Sequence, residues 1–227
     1  YLPDGDGITL LEERILPDFT KTIITTTDKD KQVREHLFNL GILDYFIKDD
    51  NFIHSIALIH KLIEKTEQNY LDHILLIDDS RLVCKQISTF LQPRNYQIHI
   101  ANNAKDALQI MENQKINLII LDLYLPDLNG DQFLSKLKRN PDYTEIPVIM
   151  LSGTEDQNII SKVLKGGASD FLHKPLIIEQ FLLKADLWID YIRKSNRLEQ
   201  SKRLLTEYKE IVDHSAMIIK TDMRGDI

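Results

Sequence analysis

The amino-acid sequence predicts a doubly wound α/β domain with a five-stranded parallel sheet between residues 71 and 185. Short apolar runs without helical periodicity, such as residues 74–77 and 118–121, are typical of parallel strands buried on both faces. Segments with helical spacing of apolar residues separate these runs, and turn residues mark the boundaries. This strict alternation of strands and helices indicates helices packed on both sides of one sheet.

The individual elements follow from the same patterns. Helices are predicted at 80–91, 104–113, 131–139 and 155–165, with another starting near 178. Pro93, Asn140-Pro141 and Gly166-Gly167 end the first, third and fourth of these helices. Between them, the predicted strands cover residues 74–78, 96–101, 117–122, 146–151 and 169–173.

Charged side chains follow three of the predicted strands. Asp78 and Asp79 close the first strand, Asp122 closes the third, and Lys174 follows the fifth. Functional groups of an open parallel sheet gather beyond the carboxyl ends of its strands, so these four should meet. Three adjacent carboxylates repel one another, and a hard divalent cation is their natural occupant. The alternative for Asp78-Asp79 is a plain strand-end turn or helix cap.

Composition limits the classes of function. The formal net charge of −7 does not suggest a surface for direct binding of nucleic acid. We find no apolar run near the roughly 18 residues that a membrane segment needs. The single cysteine, Cys84, rules out an internal disulfide and fits a reducing cytoplasm.

An internal repeat extends the prediction towards the N-terminus. Residues 25–49 align without a gap to residues 151–175, and residues 1–7 align to 124–130. The first of these alignments matches Thr26 with Ser152, Asp30 with Asp156, Gly41 with Gly167, Asp44 with Asp170, Tyr45 with Phe171 and Lys48 with Lys174. Residues 1–70 are therefore predicted to be the C-terminal half of a similar domain. Either its first three strands lie upstream, or this half packs on something else.

The last predicted helix continues beyond the sheet. Tyr191, Leu198, Leu205 and Val212 recur every seven residues, which is typical of a coiled-coil seam. Residues 186–212 are therefore predicted to be a helical coiled-coil linker that pairs two copies of the chain. The alternative is a single amphipathic helix lying on a neighbour.

Taken together, these motifs resemble the receiver domain of two-component response regulators. The resemblance covers Leu71 to about Arg193, with residues 71–185 as the complete domain. It rests on Ile77-Asp78-Asp79-Ser80, Leu121-Asp122, Pro126, Gly130, Leu151-Ser152-Gly153 and His173-Lys174-Pro175. It implies a flavodoxin-like sheet with the strand order 2-1-3-4-5. Residues 1–70 resemble the second half of another receiver, although Asp49 stands where the second copy has Pro175.

The resemblance also implies a metal site and a phosphoacceptor. Asp122 would accept the phosphoryl group. Asp79, Asp122 and the backbone carbonyl of Tyr124 would bind Mg²⁺ directly, and Asp78 would act through a metal-bound water.

A switch is implied as well. Ser152 would hydrogen-bond one phosphoryl oxygen and Lys174 would pair with another. Phe171 occupies the aromatic switch position.

The expected function is that of a cytoplasmic signalling protein, not an enzyme. A sensor histidine kinase or phosphotransfer protein would supply the phosphoryl group, and the C-terminal helix together with a receiver face would form a homodimer. Residues 213–227 resemble the start of a PAS domain, and such chains often continue into a diguanylate cyclase or kinase. The alternative is a receiver pair that is never phosphorylated and serves as a scaffold for dimerisation or protein interaction.

Overall fold

The computed structural model describes residues 7–13, 15–17, 20–48 and 52–215. Seven strands and eight α-helices occupy these residues. In chain order they are α1 (Gly7–Glu12), β1 (Ile23–Thr26), α2 (Lys31–Asn39), β2 (Asp44–Ile47), α3 (Phe52–Gln68), β3 (His73–Ile77), α4 (Arg81–Leu91), β4 (Gln97–Ala101), α5 (Ala104–Asn113), β5 (Leu118–Asp122), α6 (Gly130–Arg139), β6 (Val148–Ser152), α7 (Gln157–Lys165), β7 (Asp170–His173) and α8 (Ile178–Ser215).

The predicted five-stranded parallel sheet is confirmed. Its strands lie in the order β4-β3-β5-β6-β7, which is 2-1-3-4-5 when β3 is counted as the first strand of the domain. The largest difference in strand bounds concerns β6, which begins at Val148 and not at residue 146. Pro147 has no backbone N–H to donate, so the regular ladder begins after it.

Alternating side chains of the sheet pack into two hydrophobic cores, one on each face. Ile74, Leu76 and Ile120 lie in the core formed with α4 and α8. Leu75 and Ile119 face the opposite core, which includes residues of α5, α6 and α7. Burial on both faces explains why the strands are continuously apolar.

The N-terminal segment repeats local features of the receiver sheet. Strands β1 and β2 form a two-stranded parallel sheet, and α2 connects them. Three side-chain-to-backbone hydrogen bonds recur at the same offset in both regions. The Asp28 N–H donates to Thr26 Oγ1 as the Thr154 N–H donates to Ser152 Oγ, at 3.1 Å each. The Gln32 N–H donates to Asp30 Oδ1 as the Asn158 N–H donates to Asp156 Oδ1, at 2.8 Å each. The Tyr45 N–H donates to Asp44 Oδ1 as the Phe171 N–H donates to Asp170 Oδ1, also at 2.8 Å each.

This segment shares a hydrophobic core with the receiver domain. Leu37, Phe38 and Tyr45 belong to the same buried cluster as Phe90 of α4 and Phe181 of α8. Phe38 is only 2% exposed, whereas Leu164, its counterpart in the repeat, is 43% exposed. The α2 surface is thus covered where the matching surface of α7 is open.

A buried arginine adds polar contacts to this packing. Arg94 Nη1 donates to Asp186 Oδ2 at 2.6 Å, and Arg94 Nη2 donates to Asp44 Oδ2 at 3.2 Å. Tyr96 Oη donates to Asp186 Oδ1 at 2.7 Å. Lys65 Nζ lies 3.7 Å from Asp186 Oδ2. These contacts join the N-terminal segment, the receiver and α8, and sequence patterns did not predict them.

Helix α8 extends from Ile178 to Ser215, which confirms the prediction of a long C-terminal helix that continues past residue 185. Residues up to Ile189 belong to the compact unit that contains the receiver, and residues from Asp190 onward form a second unit. In this second unit Leu198, Leu205 and Val212 are exposed. Residues 216–227, most of the segment that resembles the start of a PAS domain, and the repeat residues 1–6 lie outside the described residues.

None of the described helices combines the length and the apolar character that crossing a bilayer requires.

Candidate phosphoryl-acceptor site

Three aspartates meet at the carboxyl edge of the receiver sheet. Asp122 is the last residue of β5, and Asp78 and Asp79 directly follow β3. One carboxylate oxygen from each lies within 4.8 Å of the others. Asp78 and Asp122 are buried and Asp79 is exposed, so the cluster opens to solvent on one side.

Lys174 supplies the cation of this cluster. Its Nζ lies 2.7 Å from Asp78 Oδ2 and 2.9 Å from Asp122 Oδ2. Burial lowers the pKa of Lys174, but hydrogen bonds and charges from the two carboxylates outweigh it, and the net pKa is raised. The ammonium group therefore stays protonated between two acids. The backbone of Lys174 is fixed by a hydrogen bond, because its N–H donates to Ser152 O at 2.9 Å. This bond continues the ladder between β6 and β7.

Asp78 is held from several directions. Its Oδ1 accepts from the Ser80 backbone N–H at 2.8 Å, and its Oδ2 accepts from Lys174. The thiol of Cys84 donates to the Asp78 backbone carbonyl at 3.3 Å. Burial, followed by the charge of Asp78, raises the pKa of Cys84 to about 11, so this thiol is a packed donor and not a nucleophile. Cys84 is thus buried, as a filler on a helix should be.

Asp122 is the second buried carboxylate of the cluster. Burial raises its pKa above the ordinary aspartate value, although Lys174 and the Tyr124 backbone N–H oppose this shift. Gly130 packs directly behind it, because a Cβ at that position would lie 2.2 Å from the Asp122 carbonyl oxygen. The Tyr124 side chain is exposed at the mouth of the site.

Ser152 and Phe171 lie on the two strands beside this cluster. Ser152 ends β6, is fully buried, and accepts a hydrogen bond from the Thr154 N–H. Phe171 is half-buried on β7 and makes an edge-on contact with His173, with ring centroids 5.0 Å apart. The structure therefore joins Lys174 to Asp78 and Asp122 by direct contact, places a carboxylate oxygen of Asp79 within 4.8 Å of those of the other two aspartates, and sets Ser152 at an adjacent strand end.

An open groove of about 450 Å³ leads to Lys174 from the loop after β6. Its walls are Gly153, Glu155, Gln157, His173, Lys174 and Pro175. The groove therefore lies on the side of the cluster that carries the ammonium group.

The donor set fits a Mg²⁺ ion. Mg²⁺ prefers oxygen ligands and usually retains several waters beside one or two carboxylates. Asp79 and Asp122 offer such carboxylates, while Lys174 and Ser80 already engage Asp78. The arrangement thus combines a buried carboxylate, an acidic set that could hold a cation and a fixed ammonium group.

One residue near the site, Asp127, was not identified from the sequence. Asp127, in the loop after β5, accepts hydrogen bonds from the first two amides of α5, those of Ala104 and Lys105, at 3.0 Å each. The sequence indicates only that Asp127, a residue with hydrogen-bond acceptors, follows Pro126 in a predicted turn. The helix that Asp127 contacts begins more than twenty residues upstream, so local capping rules do not find it.

Known proteins resemble this chain in sequence. Residues 74–186 match the response regulator receiver domain family. The two-component response regulator ORR3 of Oryza sativa is 31% identical over 105 residues, which cover 46% of this chain and 80% of that protein. The two-component response regulator ARR10 of Arabidopsis thaliana is 34% identical over 131 residues, but the match covers only 22% of its length.

Solved structures resemble it in fold. A putative two-component system response regulator/GGDEF domain protein superposes with a TM-score of 0.70 at 27% identity, covering 85% of this chain and 78% of that chain. The signal receiver domain of an HD domain-containing protein from Pseudomonas fluorescens Pf-5 superposes with a TM-score of 0.52 at 25% identity, covering 56% of this chain and 92% of that chain. The chain belongs to the two-component response regulators, and residues 74–186 form its receiver domain.

Proposed function

We propose that this chain accepts a phosphoryl group on Asp122 and relays the change to an output module. The observation that carries the proposal is the contact of Lys174 with both Asp78 and Asp122 inside the three-aspartate cluster. The donors would be a sensor histidine kinase or a phosphotransfer protein in the cytoplasm, since receiver domains pair with such proteins. The chain itself would be a signalling protein and not an independent enzyme.

The chemistry requires a nucleophile and neutralisation of the transferred group. A carboxylate oxygen of Asp122 attacks the phosphorus of a phosphohistidine, a P–O bond forms, and the P–N bond breaks with its electron pair leaving on the imidazole. Lys174 pairs with one phosphoryl oxygen as a point charge. Asp79, Asp122 and the Tyr124 carbonyl would hold Mg²⁺, and Asp78 would act through a water. The bound ion would supply further neutralisation of the phosphoryl oxygens.

Ser152 and Phe171 would convert this chemistry into a change of shape. The Ser152 hydroxyl turns towards the new phosphoryl oxygen, and Phe171 moves into the space that this turn vacates. The half-buried position of Phe171 supports this role, because the ring is neither locked in the core nor fully in water. If Phe171→Ala leaves phosphorylation-dependent dimerisation unchanged, the switch proposal fails.

The N-terminal segment would be the rear half of a second receiver. The three recurring hydrogen bonds and the positive φ angles of Gly41 (87°) and Gly167 (102°) support this proposal. Thr26, Tyr45 and Lys48 would be its switch and lysine positions. A chain extended at the N-terminus should protect the amides of β1 from hydrogen exchange, because an added strand would pair with β1. Unchanged exchange would count against it.

Helix α8 would form the dimer interface and lead into a PAS domain that begins near residue 213, followed by a diguanylate cyclase or kinase. Exposed Leu198, Leu205 and Val212 at seven-residue spacing support a two-stranded seam. Leu198→Asp with Leu205→Asp should shift the molar mass in solution to that of a monomer. Gln200→Asp, an exposed change outside the seam, should not. A double variant that keeps the mass of the parent would refute the seam.

The alternative function is a receiver pair that only assembles proteins. The shared core of α2, α4 and α8 favours it, because such packing gives a rigid scaffold without phosphorylation. Incubation with Mg²⁺ and acetyl phosphate, followed by intact-mass measurement, separates the two functions. We expect one added phosphoryl mass on the native chain and none on Asp122→Asn. No added mass on the native chain would support the scaffold.

A further inference from the structure

The loop between β5 and α6 carries the backbone carbonyl proposed as a metal ligand, that of Tyr124. Leu123 and Leu125 on either side are buried in the hydrophobic core, whereas the Tyr124 side chain is exposed. The Leu123 N–H donates to Leu151 O at 2.9 Å, and the Gly130 N–H donates to Leu123 O at 2.8 Å. Both ends of the loop are therefore fixed to the sheet.

The middle of this loop is fixed by Asp127. Its two carboxylate oxygens each accept one backbone N–H of α5, from Ala104 and from Lys105, at 3.0 Å. The first amides of a helix lack partners within the helix. Asn103 Oδ1 accepts the next amide, that of Asp106, at 2.8 Å. Asp127 therefore completes the cap of α5 from a distant part of the chain.

These contacts also keep Asp127 ionised. Its slight burial raises the pKa, but the N–H groups of Ala104, Lys105, Leu128 and Asp127 itself lower it further, below the ordinary aspartate value. A carboxylate at a helix N-terminus is also favoured by the helix dipole. Helix α5 is a firm anchor, because Ala104, Ala107 and Met111 are buried in the core.

We propose that Asp127 is a positioning residue for the metal site, which clamps the loop to α5 and thereby aims the Tyr124 carbonyl at the bound ion. The inference rests on the proposed Mg²⁺-dependent function. Groups that orient metal ligands without touching the metal commonly change metal affinity by about 10–100-fold when mutated. A residue that merely stabilised α5 would change the unfolding temperature and leave Mg²⁺ affinity as it was.

Isothermal titration of the full chain with Mg²⁺ tests this role. Asp127→Ala should raise the Kd for Mg²⁺ by about tenfold, near the lower end of the range for such groups. Asp127→Asn should have a smaller effect, since its amide oxygen still accepts one N–H. The matched control is Asp106→Asn, which removes one negative charge from the first turn of α5 but does not touch the loop.

Different results separate a failure of this inference from a failure of the proposed Mg²⁺-dependent function. A Kd for Asp127→Ala equal to that of the native chain, with circular dichroism showing a folded protein, would overturn the inference while the proposed function stands. If Asp127→Ala does not fold, a native Kd in Asp127→Asn overturns it in the same way. An equal rise in Kd for Asp106→Asn would assign the effect to charge and also overturn it. Absence of Mg²⁺ binding to the native chain would overturn both.

Discussion

Lys174 Nζ lies 2.9 Å from Oδ2 of Asp122, the proposed phosphoacceptor. The same ammonium group contacts the buried carboxylate of Asp78 at 2.7 Å. In this arrangement one cation offsets two buried negative charges, and it stands where a transferred phosphoryl group would need neutralisation. We therefore expect Lys174 to stabilise the site as well as to take part in the proposed chemistry.

Replacing Lys174 with methionine should lower the free energy of unfolding by about 3 kcal/mol, because two buried carboxylates lose their cation. Urea unfolding in the presence of EDTA measures this loss, and added Mg²⁺ should recover part of it by replacing the cation. The control is Lys184→Met, since Lys184 pairs with the more exposed Asp170. Its loss should stay below about 1 kcal/mol. Equal losses in the two variants would contradict the prediction.

Gly130→Ala should displace the backbone of Asp122 and so distort the site. The new Cβ would lie 2.2 Å from the Asp122 carbonyl oxygen and 3.0 Å from the Leu123 Cα, so backbone must move. We expect a loss of about 1–3 kcal/mol in unfolding free energy and slower phosphorylation by acetyl phosphate. Gly7→Ala is the control, because a Cβ there meets no atom within 4 Å and Gly7 does not line the groove that leads to Lys174. If both variants behave like the native chain, the inferred close packing of Gly130 against the backbone of Asp122 is wrong.

Stability should fall in mild acid because of the pair formed by His73 and His99. Their ring nitrogens Nδ1 and Nε2 lie 2.9 Å apart, so one ring must accept a hydrogen bond. Burial, and then the neighbouring His73, lower the pKa of His99. The unfolded chain, with a histidine pKa of about 6.5, thus binds more protons than the folded chain as the pH falls.

This contribution to stability is complete above a pH of about 6.5 and is lost as the pH falls through the lowered pKa of His99 in the folded chain. His99→Gln should flatten the dependence of unfolding free energy on pH in that range. His60→Gln, which removes a histidine from the exposed surface of α3, is the matched control. A native slope in His99→Gln would show that other groups govern acid stability.

Arg94→Met should destabilise the packing between the N-terminal segment and the receiver by about 3–5 kcal/mol, because Asp186 and Asp44 lose a buried partner. Chemical denaturation measures this, and a double-mutant cycle with Asp186→Asn should give a coupling energy clearly above zero. Arg203→Met, which removes an exposed pair with Glu207, is the matched control and should cost below about 1 kcal/mol. A zero coupling energy would mean that Arg94 and Asp186 act independently.

The fold was predictable because its signals are local. Apolar runs and turn residues predict each strand of the receiver to within two residues, and the ends of parallel strands must share one edge. That rule brings Asp78, Asp122 and Lys174 together without any knowledge of their contacts. The bounds of β6 were missed because Pro147 lies inside an apolar run, yet cannot donate to the ladder.

The long-range polar contacts could not be predicted. Arg94 meets Asp44 and Asp186 only because α4 and α8 pack beside the N-terminal segment, and no periodic pattern encodes such a meeting. Asp127 caps a helix that precedes it in the chain, whereas capping rules describe the helix that follows. Both cases depend on tertiary packing, which local sequence does not reveal.

Borohydride reduction after treatment with Mg²⁺ and acetyl phosphate tests the central claim most directly. Borohydride converts an aspartyl phosphate to homoserine, and peptide mass spectrometry locates the converted residue. We expect homoserine at position 122 alone, and none when Lys174→Met or Mg²⁺-free chain is treated for the same short time. Conversion at another aspartate, or no conversion in the native chain, would contradict the assignment of Asp122 as the phosphoacceptor.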